Sequence, residues 1–187
     1  MAVPNWNSAG LLPPIDHNDP VSLQRSPYEV SVVELVAGLA VTRERKEIVG
    51  GLLQYRAALH ALGFLNGFQW VNGSFCTDVE TLENRPPSDI DVVTFLHSPA
   101  GMDVAAVVAH NPQLFFSDRA KATFRCDAYV VDFGRATPEL VAMQAAYWSS
   151  VWGHTRSGVW KGFLQIPLDP ALDGDAVELL DADEVAA

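Results

Sequence analysis

Two kinds of hydrophobic spacing alternate along the 187-residue chain. Apolar residues recur every three or four positions in four segments, which is typical of helices with one buried face; these are 27–40, 42–63, 101–115 and 137–153. Four shorter segments are rich in aromatic and β-branched residues, which favour strands; these are 67–73, 88–96, 123–133 and 160–168. This order predicts one α/β (α+β) domain, a mixed β-sheet backed by helices.

Capping residues predict where the first two helices begin and end. Ser26 is followed by Pro27 and Glu29, and proline is tolerated at the first helical position, so we expect a helix to begin at Pro27. Thr42 predicts the start of the second helix, and Gly63 predicts its end. The helices therefore precede the first predicted strand.

Proline and charge divide the chain into three regions. Residues 1–27 contain five of the 12 prolines and predict an irregular N-terminal arm. Residues 28–170 carry the predicted helices and strands. Residues 171–187 form an acidic C-terminal tail, in which the last 15 residues hold six acids and no base; we expect either a short helix or disorder there.

The net charge of −11 and the composition exclude several classes of protein. No basic track is present that would follow a nucleic-acid backbone, so duplex binding is disfavoured. No apolar run approaches the ~20 residues that a membrane span needs, and the N-terminus lacks a signal-peptide pattern. We therefore expect a cytoplasmic protein without a membrane partner.

Two carboxylates lie one residue apart in a predicted strand. Asp89 and Asp91 share one face of that strand, about 7 Å apart, because side chains alternate across a strand. Carboxylates placed together repel unless a cation neutralises them. Hard divalent ions such as Mg²⁺ prefer oxygen ligands, so the pair predicts a metal site.

A third carboxylate would complete a site for two ions about 4 Å apart, the arrangement that serves phosphoryl transfer. The next predicted strand offers Asp127 near its start and Asp132 at its far end. These two have opposite parity and cannot share one strand face. We favour Asp127 and keep Asp132 as the alternative.

A Gly-Ser pair follows the strand that precedes these carboxylates. Glycine allows the backbone to approach a phosphate closely, and the serine hydroxyl and the backbone amides can bind its oxygens. Gly73–Ser74 is therefore a candidate phosphate loop. The segment 75–87 separates it from the Asp pair, and we expect this spacer to loop out as a lid or as decoration.

The motifs NGSF, SDIDVV and CDAYVV together resemble the nucleotidyltransferase superfamily of the DNA polymerase β type. The resemblance covers roughly residues 65–135 and is greatest to small, stand-alone bacterial members found in toxin–antitoxin and phage-defence loci. It implies a nucleotidyltransferase fold in which Gly73–Ser74 holds the phosphates of a nucleoside triphosphate. It also implies that Asp89, Asp91 and Asp127 bind two Mg²⁺ ions, with Asp127 closest to the attacking hydroxyl.

Further cations are needed to bind a triphosphate. Lys121 is a candidate for a phosphate or acceptor contact, in a cluster with Arg119 and Arg125 that a solvated loop explains somewhat better. Lys161 is a second candidate, at the start of the last predicted strand.

The resemblance implies a Mg²⁺-dependent nucleotidyltransferase that transfers a nucleoside monophosphate, AMP from ATP, to an acceptor hydroxyl. The small size and acidic composition favour a hydroxyl on a protein, such as a toxin or a defence effector. One alternative is the synthesis of a short nucleotide messenger or oligonucleotide. Another is a catalytically inactive relative that binds and neutralises a partner, with the acidic tail as one docking segment.

Overall fold

The computed structural model describes residues 2–16 and 18–185 and confirms a mixed α/β architecture. Within these residues, five strands form one sheet: β1 (Tyr28–Glu29), β2 (Gly67–Asn72), β3 (Ile90–Leu96), β4 (Cys126–Asp132) and β5 (Leu164–Pro167). Eight α-helices surround it: α1 (Val32–Leu39), α2 (Arg43–Ala61), α3 (Val79–Glu83), α4 (Val104–His110), α5 (Pro112–Phe115), α6 (Ser117–Phe124), α7 (Pro138–Trp152) and α8 (Asp173–Val185).

The sheet is mixed, with the strand order β1-β5-β2-β3-β4. Strand β2 runs antiparallel to both β3 and β5, whereas β3 and β4 are parallel, as are β1 and β5. The end of β2 therefore lies beside the beginnings of β3 and β4. The beginning of β5 lies at the same end of the sheet, and the predicted site residues except Asp132 lie in or beside these four strand ends.

Each face of the sheet packs against a different hydrophobic cluster. On one face, residues of β3 such as Val92 join Ile48 and Leu52 of α2 in the larger cluster. On the other face, alternate strand residues such as Val93 pack with Trp148 and Trp152 of α7 in a smaller aromatic cluster. The alternation of apolar residues along the strands places one set on each face.

The first helix, α1, begins at Val32 and not at Pro27, where the sequence predicts its start. Ser31 caps α1 and forms a capping box with Glu34, which satisfies backbone N–H groups on both residues. Tyr28–Glu29 instead forms strand β1, paired with β5. The prediction of a helix N-terminus at Pro27 is therefore wrong, because the later capping signal sets the start.

The region between β3 and β4 also differs from its prediction. The helix predicted over 101–115 is divided into α4 and α5, because Pro112 lacks the N–H that would continue α4. The strand predicted from residue 123 begins at Cys126, and α6 precedes it. Lys121 thus lies on a helix rather than in a loop.

The spacer 75–87 is folded and attached to the domain, so the prediction that it loops out is wrong for most of its length. A 3₁₀ turn and α3 occupy residues 74–83. Arg45 of α2 is fully buried and donates to the carbonyls of Phe75 and Thr77 and to the carboxylate of Glu80. These bonds hold the spacer from inside.

Both ends of the chain pack on the domain. Leu11 and Leu12 of the N-terminal arm are buried. The acidic tail forms α8, which confirms a helix for 173–185; residues 186–187 lie outside the described part. Helix α8 contacts α1 and α2, and Arg56 of α2 pairs with Asp173 at its start. Among the described residues, no helix is both long and apolar enough to cross a membrane.

Candidate functional site

Three carboxylates lie together where β3 and β4 begin. Asp91 is the second residue of β3 and Asp127 is the second residue of β4, and the two are paired in register across these parallel strands. Their side chains share the face that α7 covers, because Val93 and Val131, which follow at even spacing, pack there. Asp89 precedes β3 and is two residues from Asp91, so the structure brings all three carboxylates to one place.

Gly73 closes the site from the end of β2. A Cβ atom on Gly73 would lie 2.7 Å from Oδ2 of Asp91, closer than a side chain is tolerated. The φ angle of Gly73 is +81°, a region that glycine adopts without strain. The loop backbone therefore lies directly against the Asp91 carboxylate, an approach that requires glycine.

The charges of this site are unbalanced around Asp91. Burial is the largest cause that raises the pKa of Asp91 to about 6, and the neighbouring charges of Asp127 and Asp89 act in the same direction. Lys161 and Lys121 act in the opposite direction. The excess of negative charge is the electrostatic environment that a bound cation would relieve.

Helix α6 presents two polar side chains to the carboxylates from positions one turn apart. The Nζ of Lys121 forms an ion pair with Oδ2 of Asp89, and this contact raises the pKa of Lys121. That oxygen is buried and has no directional hydrogen bond within the described residues. The hydroxyl of Ser117 donates to Oδ1 of Asp127. Helix α6 therefore holds two of the three carboxylates in place.

Lys161 approaches from the opposite side, just before β5. Its side chain is buried, and burial lowers its pKa. The Nζ lies 3.5 Å from the carbonyl oxygen of Gly73, and no carboxylate of the described residues is within ion-pair distance. Lys161 is thus the cation closest to the backbone of the Gly-Ser loop.

The remaining predicted residues divide between this site and other parts of the surface. Ser74 begins the 3₁₀ turn beside Gly73 and is half-buried. Asp132 lies at the far end of β4, where it accepts a hydrogen bond from Ser98. Arg119 is exposed beside Asp118, and Arg125 pairs with Glu47 of α2. The structure therefore groups Asp127, and not Asp132, with Asp89 and Asp91.

Two polar residues of the site received no role from the sequence, although Asn72 is the first residue of the motif NGSF. Ser117 is one serine among several in a polar segment. Asn72 lies opposite Asp91 in the sheet and is buried, and its Oδ1 has no partner within the described residues. A buried amide with an unpaired acceptor costs free energy. The signal in the sequence is a polar residue, Asn72, at the end of a mostly apolar strand and directly before Gly73.

The donor set fits a hard divalent ion in its chemistry, because it consists of carboxylate oxygens on one face. The present arrangement is not a preformed centre. Among residues 2–16 and 18–185, no three His, Cys, Asp or Glu side chains converge as a metal-binding group. Asp89 is held by Lys121 and Asp127 by Ser117. Metal binding at this site therefore requires that Asp89 be released from Lys121.

Comparison with curated proteins and with solved structures returns no significant match in either set. A family model matches most of the chain, from the N-terminal arm through β5. Residues 4–167 place the chain in DUF6932, a family of unknown function.

Proposed function

We propose that the protein is a Mg²⁺-dependent nucleotidyltransferase that transfers AMP from ATP to an acceptor hydroxyl on a protein, in a toxin–antitoxin or anti-phage setting. The observation that carries this proposal is the register of Asp91 with Asp127 on parallel strands, with Asp89 just before the same strand and Gly73 against Asp91. Aspartates that only capped turns would not need to lie opposite one another in the sheet. Such opposition raises free energy unless a cation is bound.

The roles of the residues follow from their positions. Asp89, Asp91 and Asp127 would hold Mg²⁺, which supplies charge neutralisation and alignment for phosphoryl transfer. Gly73–Ser74 would bind phosphate oxygens, since the Gly73 backbone lies against Asp91 and the Ser74 side chain begins the adjacent turn. Positioning and electrostatics supply most of the catalysis in such reactions, so few side chains suffice.

Asp127 is the carboxylate proposed to accept the proton of the attacking hydroxyl. It is half-buried and already accepts one hydrogen bond from a hydroxyl, that of Ser117. Ser117 acts here as a positioning residue, because it fixes the orientation of Asp127 through a donated hydrogen bond.

The surface beside the site favours a protein as the acceptor. Helix α7, which covers the same sheet face, has an exposed apolar stripe at helical spacing: Leu140, Met143, Tyr147 and Val151. Exposed apolar patches of this kind are typical of surfaces that contact other proteins. The net charge of −11 argues against a nucleic-acid acceptor.

A second candidate function is a binding protein that neutralises a partner without catalysis. The ion pair between Lys121 and Asp89 favours it, because a lysine occupies a carboxylate that the enzyme would need for metal. The opposition of Asp91 and Asp127 is left unexplained by this alternative.

The deciding experiment is calorimetric titration of ATP and the other nucleoside triphosphates, with and without Mg²⁺. The test variant is Asp89→Asn/Asp91→Asn, and the matched control is Asp132→Asn, which removes a carboxylate at the far end of β4. We expect Mg²⁺-dependent binding in the wild type and the control and none in the double variant. A folded wild type that binds no nucleoside triphosphate would leave the binding protein as the better description.

A nucleotide-binding result then justifies a search for the acceptor. Incubation with Mg²⁺ and ATP, followed by intact-mass measurement of partner proteins, would show one added nucleoside monophosphate per modified hydroxyl. Release of pyrophosphate should accompany it. Nucleotide binding without the mass increase or pyrophosphate release would support a nucleotide-binding site but contradict transferase activity.

A further inference from the structure

Lys161 is a buried cation that forms no ion pair with any residue that the structure describes. Only 8% of its surface is exposed, although it carries a long, charged side chain. The other charged residues that are buried in the described part of the chain all have ion-pair partners: Arg45 with Glu80, Arg56 with Asp173 and Asp89 with Lys121. Lys161 therefore differs from every comparable residue that the structure describes.

The contact that Lys161 makes does not balance its charge. The carbonyl oxygen of Gly73 lies 3.5 Å from Nζ, at the outer limit of a hydrogen bond. A neutral acceptor at that distance compensates little of the cost of removing an ammonium group from water. Asp91 attracts Lys161 electrostatically without forming an ion pair. An anion bound beside Gly73 would supply the missing partner.

The position of Lys161 identifies the part of a ligand that it would contact. Gly73 is close to both charged groups: its carbonyl oxygen lies 3.5 Å from the Lys161 Nζ, and a Cβ on it would meet the Asp91 carboxylate. A ligand that contacts Lys161 therefore passes along the Gly-Ser loop, next to the proposed metal carboxylates. A chain of phosphates has both the charge and the extended shape for this path.

We propose that Lys161 is the cation that recognises the terminal phosphates of a polyphosphate ligand, and that Lys121 serves as a counter-ion for Asp89 only in the ligand-free protein. This inference rests on the proposed function and deepens it, because it assigns recognition to the phosphate chain rather than to the nucleobase. Lys121 is less suited to that role, since its side chain is 52% exposed and already paired.

This assignment predicts which molecules bind. Inorganic triphosphate with Mg²⁺ should bind within about tenfold of ATP with Mg²⁺, because the charged contacts are with phosphates. Adenosine should not bind measurably under the same conditions. Inorganic phosphate should bind more weakly than pyrophosphate, and pyrophosphate more weakly than triphosphate, because each added phosphate adds charge.

The test is titration calorimetry of the full chain with inorganic triphosphate and Mg²⁺. Lys161→Met replaces the ammonium group by an apolar group of similar length, and we expect a loss of affinity of roughly 10- to 100-fold. Lys161→Arg retains the charge and should recover part of the affinity. Lys46→Met is the control, since it removes one positive charge from α2 outside the site.

Thermal unfolding of the same variants separates binding from structure. Lys161→Met should leave the melting temperature of the ligand-free protein unchanged or higher, because an unpaired buried charge is removed. A lower melting temperature together with unchanged triphosphate affinity would show that Lys161 is structural and would overturn the inference. Loss of affinity in Lys121→Met but not in Lys161→Met would also overturn it.

The outcomes distinguish this inference from the proposed function. Triphosphate binding that depends on Lys161, without nucleotidyl transfer to any acceptor, would sustain the inference and remove the transferase. Nucleotidyl transfer that is unaffected by Lys161→Met would sustain the transferase and overturn the assignment of Lys161. A wild-type protein that binds neither triphosphate nor pyrophosphate would overturn the assignment of Lys161.

Discussion

Charge is buried in two regions of this protein, on opposite faces of the sheet, and the two regions are built differently. On the α2 face, Arg56 is fully buried and makes five hydrogen bonds, all within the chain. Two go to the carboxylate of Asp173 and one to the side chain of Gln69, and two backbone carbonyls accept the others. Each of the five hydrogen bonds that the guanidinium group can donate is therefore made to an acceptor of the chain.

On the α7 face, the aspartates of the candidate site have the opposite balance. Asp91 is raised in pKa by burial and by its acidic neighbours, and Asn72 beside it leaves an acceptor unpaired within the described residues. The Arg56 network is complete without any ligand, whereas the carboxylate site would be completed by cations. Closed networks of buried charge hold a fold together, and open ones mark functional sites.

The largest effect should come from breaking the closed network. Arg56→Met would leave the carboxylate of Asp173 and two carbonyls without their donors, and breaking a buried pair in this way costs about 3–5 kcal/mol. Urea unfolding followed by circular dichroism would measure the free energy of unfolding. Arg43→Met is the control, because Arg43 pairs with Glu47 on the surface, where such pairs contribute roughly 0–1 kcal/mol. Equal losses in the two variants would refute the distinction.

Neutralising Asp91 in the open site should raise the free energy of unfolding, whereas Arg56→Met should lower it. Asp91→Asn removes a charge that burial and repulsion disfavour, so the ligand-free variant should be more stable than the wild type at pH 7.5 by about 1–3 kcal/mol. Mg²⁺ should stabilise the wild type but not the variant. Chemical unfolding at fixed pH, with and without Mg²⁺, would measure both effects.

The same variant gives a defined pH dependence. The pKa of Asp91 is about 6 in the folded protein and about 3.9 when unfolded, so the folded state binds the proton more tightly. The stabilisation of the folded state by protonated Asp91 is fully present below pH ~3.9 and is lost as the pH rises through about 6. The advantage of Asp91→Asn over the wild type should therefore grow between pH 4 and 6 and stay constant above. An advantage that shrinks over this range would contradict the assignment.

A smaller difference should separate two glycines with nearly the same φ angle. Gly73 and Gly158 have φ angles of +81° and +82°, but an added Cβ meets Asp91 at Gly73 and nothing at Gly158. Gly158→Ala should cost about 1–2 kcal/mol from backbone strain alone. Gly73→Ala should cost about 1 kcal/mol more, and only it should weaken triphosphate binding. Identical results for the two variants in unfolding and calorimetry would show that the contact is unimportant.

The sequence predicts the carboxylate pair but not its complete surroundings. The separation of Asp89 and Asp91 by two residues places them on one face whatever the register of the sheet. The sequence favours Asp127 over Asp132 only because Asp127 is nearer the start of the strand; both lie in the same predicted strand, and the choice depends on pairing. Only the pairing of β3 with β4 places Asp127 opposite Asp91. The pairing register of β3 with β4 therefore decides which aspartate is the third carboxylate of the site.

Buried charges show a second limit of prediction from the sequence. Arg45 and Arg56 fall on the apolar face of α2, and a charged residue at such a position signals a buried network. The partners of that network lie 30 or more residues away for Arg45 and more than 100 for Arg56–Asp173. Lys161 reaches Gly73 because β5 is inserted beside β2, a sheet order that local pattern does not specify.

The smallest expected effect distinguishes two similar hydrogen bonds at opposite ends of β4. Ser117 donates to Asp127 at the start of the strand, and Ser98 donates to Asp132 at its end. Removal of either hydroxyl by substitution with alanine should lower the free energy of unfolding by about 0.5–1.5 kcal/mol. Only Ser117→Ala should also change the Mg²⁺ concentration needed for triphosphate binding, because only Asp127 lies with the other carboxylates. A shift of the same size in Ser98→Ala would mean that the two ends of β4 are equivalent, and that the carboxylate cluster gives Asp127 no special role.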